Sequence, residues 1–268
     1  MKGKKLWHLQ AREIVMLAVM IALCVVGNTI CSHTVPLHAG TAITILSGIS
    51  LGAGPGFIVG IVARFVCNFF DGQGPWTIWQ MFSWGLLAAI SGVCFQPVKR
   101  QTLLERQRKK KLSIVEVGRQ ARDSLMILLC MMVALLCGLL VVLLTGKSLD
   151  DMVGWRLYAW GGVGLLMGVF FKKKKLVVHP LVMSVYTLCI VFIVYGGIMN
   201  FATLVMQHLV NKGEDPMTLQ ALRALYITGV PYDLSHAIGA AICVFFVGES
   251  LLQKMERIQI KYNIFPKK

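Results

Sequence analysis

Charged residues are scarce in this chain: they make up 15% of its 268 residues, against 56% hydrophobic ones. A soluble domain carries about 25% charged residues, and the mean hydropathy here is +0.70. The chain therefore has too little polar surface to be an ordinary cytosolic enzyme, a disordered tail or a small secreted scaffold. Acidic residues are scarcest, 12 against 27 Lys and Arg, which leaves a net charge of +15. In a soluble protein that surplus would point to nucleic acid; in one this apolar its meaning depends on where the charges sit.

Other absences narrow the chemistry. There is no CxxC and no His-rich spacing. Cys24, Cys67, Cys94, Cys130, Cys137, Cys189 and Cys243 stand singly inside apolar runs, and only Cys31 reaches a run's outer edge. Buried inert thiols are expected, with no metal site. Gly146-Lys147-Ser148 matches the end of a phosphate-binding loop, but Val141 stands where its first glycine belongs, so no ATP site is expected. The basic start followed by an apolar run lacks a clear small-residue cleavage site, so a retained first span is expected rather than a cleaved signal peptide.

What is present is a series of long apolar runs. A spanning helix takes about 20 apolar residues to cross about 30 Å of hydrocarbon. Glu13–Ile30, Ser124–Leu144, Leu176–Met206 and Tyr232–Leu252 meet that length, and a further span is expected from about Trp155 to Phe171. Between Ala39 and Phe95 the run is interrupted by Gly52, Gly54, Pro55 and Gly56, then by Asp71-Gly-Gln-Gly-Pro75, giving three helices over roughly 40–53, 55–70 and 76–96. The expectation is an all-α polytopic membrane bundle of about eight spans forming one membrane domain.

Lys and Arg near the span ends set the direction. With both termini on the cytoplasmic side, 22 of the 27 basic residues fall inside. Lys147, Arg156, Lys212 and Arg223 lie on or beside outer segments, and Arg64 lies within a span. The inner surplus gathers in the loop 97–123, with nine basic residues, and in Lys172–Lys175. These frame a helical hairpin, so 97–171 reads as a block inserted into a six-span core formed by 1–96 and 172–268. The loop itself reads as a solvated positive-inside segment. Trp84-Gly-Leu-Leu-Ala-Ala-Ile-Ser-Gly-Val-Cys-Phe95 and Trp160-Gly-Gly-Val-Gly-Leu-Leu-Met-Gly-Val-Phe-Phe171 share five identities, a weak internal similarity. Gly52, Gly56 and Gly60, Ala18 and Ala22, and Gly164 and Gly168 have the four-residue spacing that lets membrane helices approach closely.

Polar residues that escape this apolar logic gather at one depth, on the outer side. Asn68 ends the third span, with Asp71 and Gln73 just beyond. Pro75 opens the fourth span, and its Trp76, Gln80 and Trp84 share a helix face, with Trp79 close by. Asn200 ends the seventh span, Pro231 opens the last one, and Asp233 and His236 follow in its first turns; His33 and His38 lie in the first outer loop. Polar groups in spans are costly and face a cavity or a polar partner. Aromatic faces with a few amides and acids suit a flat or multi-ring solute. Arg64, one turn deeper than Asn68 on the same face, is expected to floor the pocket, to reach inward, or to pair with Glu249 in a structural or coupling role. Ser235 and His236 are adjacent and so sit on different helix faces, which leaves only Ser83 or Ser91 with His236 as a conceivable nucleophile–base pair.

Asn68-Phe-Phe-Asp-Gly-Gln-Gly-Pro-Trp-Thr-Ile-Trp-Gln-Met-Phe-Ser-Trp-Gly85 closely resembles a signature stretch of the substrate-binding S components of energy-coupling factor (ECF) vitamin transporters. Tyr195-Gly-Gly-Ile-Met-Asn-Phe201, Gly229-Val-Pro-Tyr-Asp-Leu-Ser-His-Ala237 and Leu252-Gln-Lys-Met-Glu-Arg-Ile258 resemble the family's last two helices. Ala18 and Ala22 match its AxxxA docking motif. The resemblance covers about 12–96 and 177–263. It implies a six-helix fold with a solute pocket near the outer face, a transmembrane coupling subunit, and two cytoplasmic ATPases that do the hydrolysis. The S component itself is then no enzyme and carries no cofactor. It is expected to topple in the membrane with its ligand.

On that basis Asn68, Asp71, Gln73, Trp76, Trp79, Gln80, Asn200, Asp233 and His236 are the expected substrate-binding residues, and Ala18 and Ala22 the coupling contact. The hairpin 97–171 is extra to the family's spans, and Arg64 and Asp71 stand where small or apolar residues are expected. Corrinoids, flavins and other ring-bearing vitamins or precursors all fit stacking tryptophans. A stand-alone secondary transporter and an intramembrane hydrolase are the alternatives.

Overall fold

The computed structural model describes residues 9–34, 37–95, 114–146, 152, 154–171, 176, 178–210 and 218–265, with the side chains of 32–34, 114–125, 128, 171 and 210 outside that description. The basic loop over 97–113, Lys147, Lys172–Lys175, Lys212 and the His33 side chain therefore lie outside the described residues.

The architecture is all-helical, because a chain in hydrocarbon has to satisfy each backbone N–H and C=O within its own segment. In order, the helices are α1 (Ala11–Thr34), α2 (Ala39–Leu51), α3 (Ala53–Asp71), α4 (Trp76–Cys94), α5 (Ile114–Leu144) and α6 (Trp155–Phe171). Then come α7 (Pro180–Ile190), a π-helical segment (Val191–Gly196), α8 (Gly197–Val210) and α9 (Leu219–Tyr262). Among the described residues, five helical stretches are long and apolar enough to cross a membrane: Ala11–Cys31, Ala53–Asp71, Trp76–Cys94, Pro180–Leu209 and Leu219–Tyr262. Ala39–Leu51 and Leu129–Leu144 are shorter apolar helices. The 13 residues of α2 rise only about 20 Å at about 1.5 Å each, less than a full crossing.

The last helix corrects the sequence reading. Pro231 does not open it; α9 begins at Leu219, where the Thr218 hydroxyl caps the Ala221 N–H at 3.1 Å, and continues through Pro231 for 44 residues. Asp233 and His236 thus lie well inside a helix rather than in its first turns. Proline removes one ladder bond and perturbs a helix, but neighbouring helices in a membrane bundle make that tolerable. The expected outer loop 201–231 is accordingly helical over much of its length.

Lipid tails are as apolar as the side chains, so close packing has to hold the helices together. A Cβ at Gly48 would strike the backbone of Ala88, one at Gly60 the backbone of Trp84 and Gly85, and one at Gly56 the backbone of Gly48. These bare positions bring α2, α3 and α4 into backbone contact. Gly52, at φ 95°, reverses the chain between α2 and α3. Trp84, Ile45, Leu46, Leu87, Met20, Met183, Ile190 and Leu252 fill the core around this seam. Ala18 and Ala22 point the other way: both are exposed on α1, on a surface with Ile14, Val15, Val19, Leu23 and Val26.

The hairpin α5–α6 leaves and rejoins the bundle at one point. Phe95 and Leu176 form an isolated bridge in which the Leu176 N–H donates to the Cys94 carbonyl at 2.9 Å. Its own two helices are held by the same device: a Cβ at Gly164 would meet the Met131 backbone, and one at Gly168 the Ile127 backbone.

Candidate functional site

The C-terminal turns of α3 and the first turns of α4 meet at the end of the bundle opposite the α2–α3 turn. Arg64, Asn68 and Asp71 are spaced i, i+4, i+7 and share one face of α3. Arg64 runs along that face toward Asp71, not toward Glu249. Its Nη1 donates to Asp71 Oδ2 at 3.1 Å and its Nε to Gln80 Oε1 at 3.0 Å. Its guanidinium also lies 5.2 Å from the Trp84 ring centroid. Asn68 is fully buried, and its Nδ2 donates to Gln80 Oε1 at 2.9 Å and to Thr77 Oγ1 at 3.1 Å. From α1, Asn28 Nδ2 donates to Asp71 Oδ2 at 2.9 Å. The ion pair is thus embedded in a network that ties α1, α3 and α4 together.

A second group forms on α9 and its neighbours. His236 is 3% exposed; its Nε2 shares a hydrogen bond with Thr41 Oγ1 at 2.9 Å. Its ring lies 3.9 Å from that of His38 and 4.4 Å, edge-on, from that of Tyr195. Three residues earlier Asp233 Oδ2 accepts from Asn200 Nδ2 at 2.7 Å and from the Tyr158 hydroxyl at 2.5 Å. The two groups meet through α2, where Gly40 lies against the Trp84 ring and the next residue, Thr41, holds His236. The π-helical segment ending at Gly196 makes room here: a Cβ on Gly196 would overlap the Asp233 carboxylate. Single π turns of this kind are frequent at functional sites.

Of the residues expected from the sequence, Asn68, Asp71 and Gln80 come together in the first group, and Asn200 and Asp233 in the second, with His236 beside them. Trp79 sits at the edge, its ring 6.2 Å from Phe201. Gln73 and Trp76 instead brace the α3–α4 turn. Gln73 accepts from Thr77 Oγ1 at 3.0 Å and donates to the Phe65 carbonyl at 3.3 Å; Trp76 Nε1 donates to the Gly72 carbonyl at 3.4 Å. Asn28, Thr41, Tyr158 and Tyr195 are additions that helical spacing alone did not single out. The serines weighed as nucleophiles are engaged locally, Ser83 with the Trp79 carbonyl at 2.8 Å and Ser91 with the Leu87 carbonyl at 2.6 Å.

Among the described residues, three buried polar atoms of these groups have no hydrogen-bond partner: Asn68 Oδ1, Trp84 Nε1 and His236 Nδ1. An unmade hydrogen bond in a buried place costs about 1–3 kcal/mol, and sites built for a ligand carry such atoms. They offer one acceptor, one donor, and one imidazole nitrogen able to take either role. Among the described residues no group of three or more His, Cys, Asp or Glu is placed to hold a metal ion.

The apolar helices and the buried polar groups at one end define a multi-pass membrane protein with a polar cluster inside its helical bundle. Comparison with known families adds one likeness. Residues 8–119 match the model of the family described as ECF-type riboflavin transporter, S component, so that stretch is similar to an ECF S component. That stretch contains the whole of the Arg64–Asn68–Asp71–Gln80 network. Neither the search of curated proteins nor that of solved structures gave a match.

Proposed function

We propose that this protein captures a flat, ring-bearing vitamin-like solute for ATP-driven uptake, with a flavin as the first ligand to test. The observation that carries the reading is the set of partnerless buried atoms on Asn68, Trp84 and His236. Two of these three residues lie in the stretch that matches a riboflavin transporter family. Trp84 and Tyr195 supply ring surfaces; Asn68, Gln80, Asn200 and His236 supply hydrogen bonds; Asp71 and Asp233 accept from ligand donors or orient their neighbours. Trp79 borders the site, and Gln73 and Trp76 shape its mouth.

In this reading the site end faces outside and both termini face the cytoplasm, an orientation supported by the 22 basic residues assigned to the inner segments. The chain delivers its ligand through a transmembrane coupling subunit driven by two cytoplasmic ATPases. Ala18 and Ala22 form the contact with the coupling subunit; their exposure on α1 supports that role. Small residues at such a contact let two helix backbones approach closely.

Native mass spectrometry of the purified protein, followed by titration of riboflavin with its fluorescence as the signal, tests the ligand. A co-purified ring-bearing solute and saturable quenching are expected. A protein that retains no small molecule and leaves flavin fluorescence unchanged overturns the reading. Co-purification of the coupling subunit and ATPases tests the transport half.

A further inference from the structure

The hairpin α5–α6 is the part of the chain that the S-component resemblance does not account for, yet it reaches the site. Gly161 of α6 lies against Ile193 of the π-helical segment. One turn earlier the Tyr158 ring stacks on Phe192, 5.1 Å between centroids and 19° between planes, and meets Tyr226 edge-on at 4.9 Å. The side chain is buried, 5% exposed, with its hydroxyl on Asp233 Oδ2. Asn200 donates to that same oxygen, and the bare backbone of Gly196 closes in from the side. Both donors converge on Oδ2, so among the described residues Oδ1 takes no hydrogen bond.

We propose that Tyr158 is a positioning residue through which the hairpin completes the ligand site: it pins Asp233 so that the free carboxylate oxygen accepts an N–H or O–H of the bound solute. The inference rests on the reading of this cluster as a solute site. A carboxylate in a bundle interior is costly unless donors hold it, and here one of its two donors comes from the hairpin. Hydrogen bonds to a charged group are about twice as strong as neutral ones, and the rigid Tyr158–Phe192 stack fixes where this one points. The hairpin is thereby part of the binding site as well as a covering of the bundle.

The test uses the purified full-length protein, measuring riboflavin affinity and ligand-free thermal melts for Tyr158→Phe, Asp233→Asn and the double variant. Tyr158→Phe keeps the ring stack, so the protein should still fold, with its melt lowered by the loss of one hydrogen bond to a buried carboxylate. Its riboflavin affinity should fall about tenfold, the scale of one lost hydrogen bond to a charged group. Asp233→Asn should lose at least as much, and the double variant no more than Asp233→Asn alone, because the two residues act as one unit.

Unchanged affinity in Tyr158→Phe, or losses that simply add, overturns the proposal. Should Tyr158→Phe fail to fold, Asn200→Ala removes the other donor without touching the hairpin and should weaken binding likewise; unchanged affinity there overturns the clamp. If the unaltered protein binds no flavin, the flavin reading fails. The ligand-free melts still decide the clamp: coupling between Tyr158 and Asp233 upholds it, and zero coupling defeats it.

Discussion

Arg64 and Asp71, seven residues apart on α3, form an ion pair of 3.1 Å whose side chains are 11% and 22% exposed. Both depart from the small or apolar residues expected at their positions, and the structure pairs one departure with the other. Two turns of helix separate their Cα atoms by about 10 Å, a gap that the long arginine side chain spans along the helix face. The pair neutralises a charge that neither residue could carry alone inside a membrane bundle.

Removing one member should therefore be worse than removing both. Arg64→Leu leaves the Asp71 carboxylate with Asn28 as its one donor among the described residues, and breaking a buried pair costs about 3–5 kcal/mol, an upper bound for a pair this close to the surface. The expected result is a large drop in melting temperature and loss of ligand binding. Arg64→Leu combined with Asp71→Leu should recover much of the stability but not the binding. Melting curves and riboflavin titrations on the two variants and the unaltered protein check this.

Trp84→Phe should separate binding from folding. Among the described residues the indole N–H has no hydrogen-bond partner, so its removal costs no existing hydrogen bond, and a phenyl ring still lies under Arg64. Ligand affinity should fall about tenfold with only a modest change in melting temperature. A variant that binds as tightly as the unaltered protein would remove Trp84 from the site.

Ala18→Trp should abolish uptake by cells while leaving riboflavin binding by the purified protein intact. The residue is exposed on α1 and belongs to none of the polar groups at the site end, so an indole there obstructs a partner rather than the ligand. Loss of ligand binding in this variant would contradict the division of roles.

His38 adds a pH dependence. It precedes α2, and burial together with the Arg64 charge pushes its imidazole below the ordinary histidine pKa. The His236 ring lies against it, tilted by 39°. A histidine whose folded-state pKa is depressed binds fewer protons folded than unfolded, so stability falls as pH drops below about 6.5. Ligand-free melts from pH 8 to pH 5 should show that decline, and His38→Gln should flatten it. An unchanged slope in the variant would assign the decline to other groups.

Much was legible in the chain itself. Apolar runs of spanning length leave the backbone no choice but helices, and the breaks at Gly52 and at Gly72–Pro75 mark where α2, α3 and α4 end and begin. Helical periodicity also put Arg64, Asn68 and Asp71 on one face, because that relationship depends only on residues within two turns. The reading of Pro231 as a helix start shows where local rules stop. Proline opens helices in isolation, but here the flanking bundle carries α9 through it.

The tertiary structure alone decided which faces meet. Asp233 finds Tyr158 from 75 residues away and His236 finds Thr41 from 195 away. Periodicity is local, whereas contacts between helices depend on crossing angle and register. Those are set by where bare glycine backbones such as Gly48, Gly60 and Gly196 let two elements touch. The amino-acid order therefore determined a membrane bundle with polar residues at one depth. The packing determined that they converge on two joined groups, and that the hairpin supplies one of their hydroxyls.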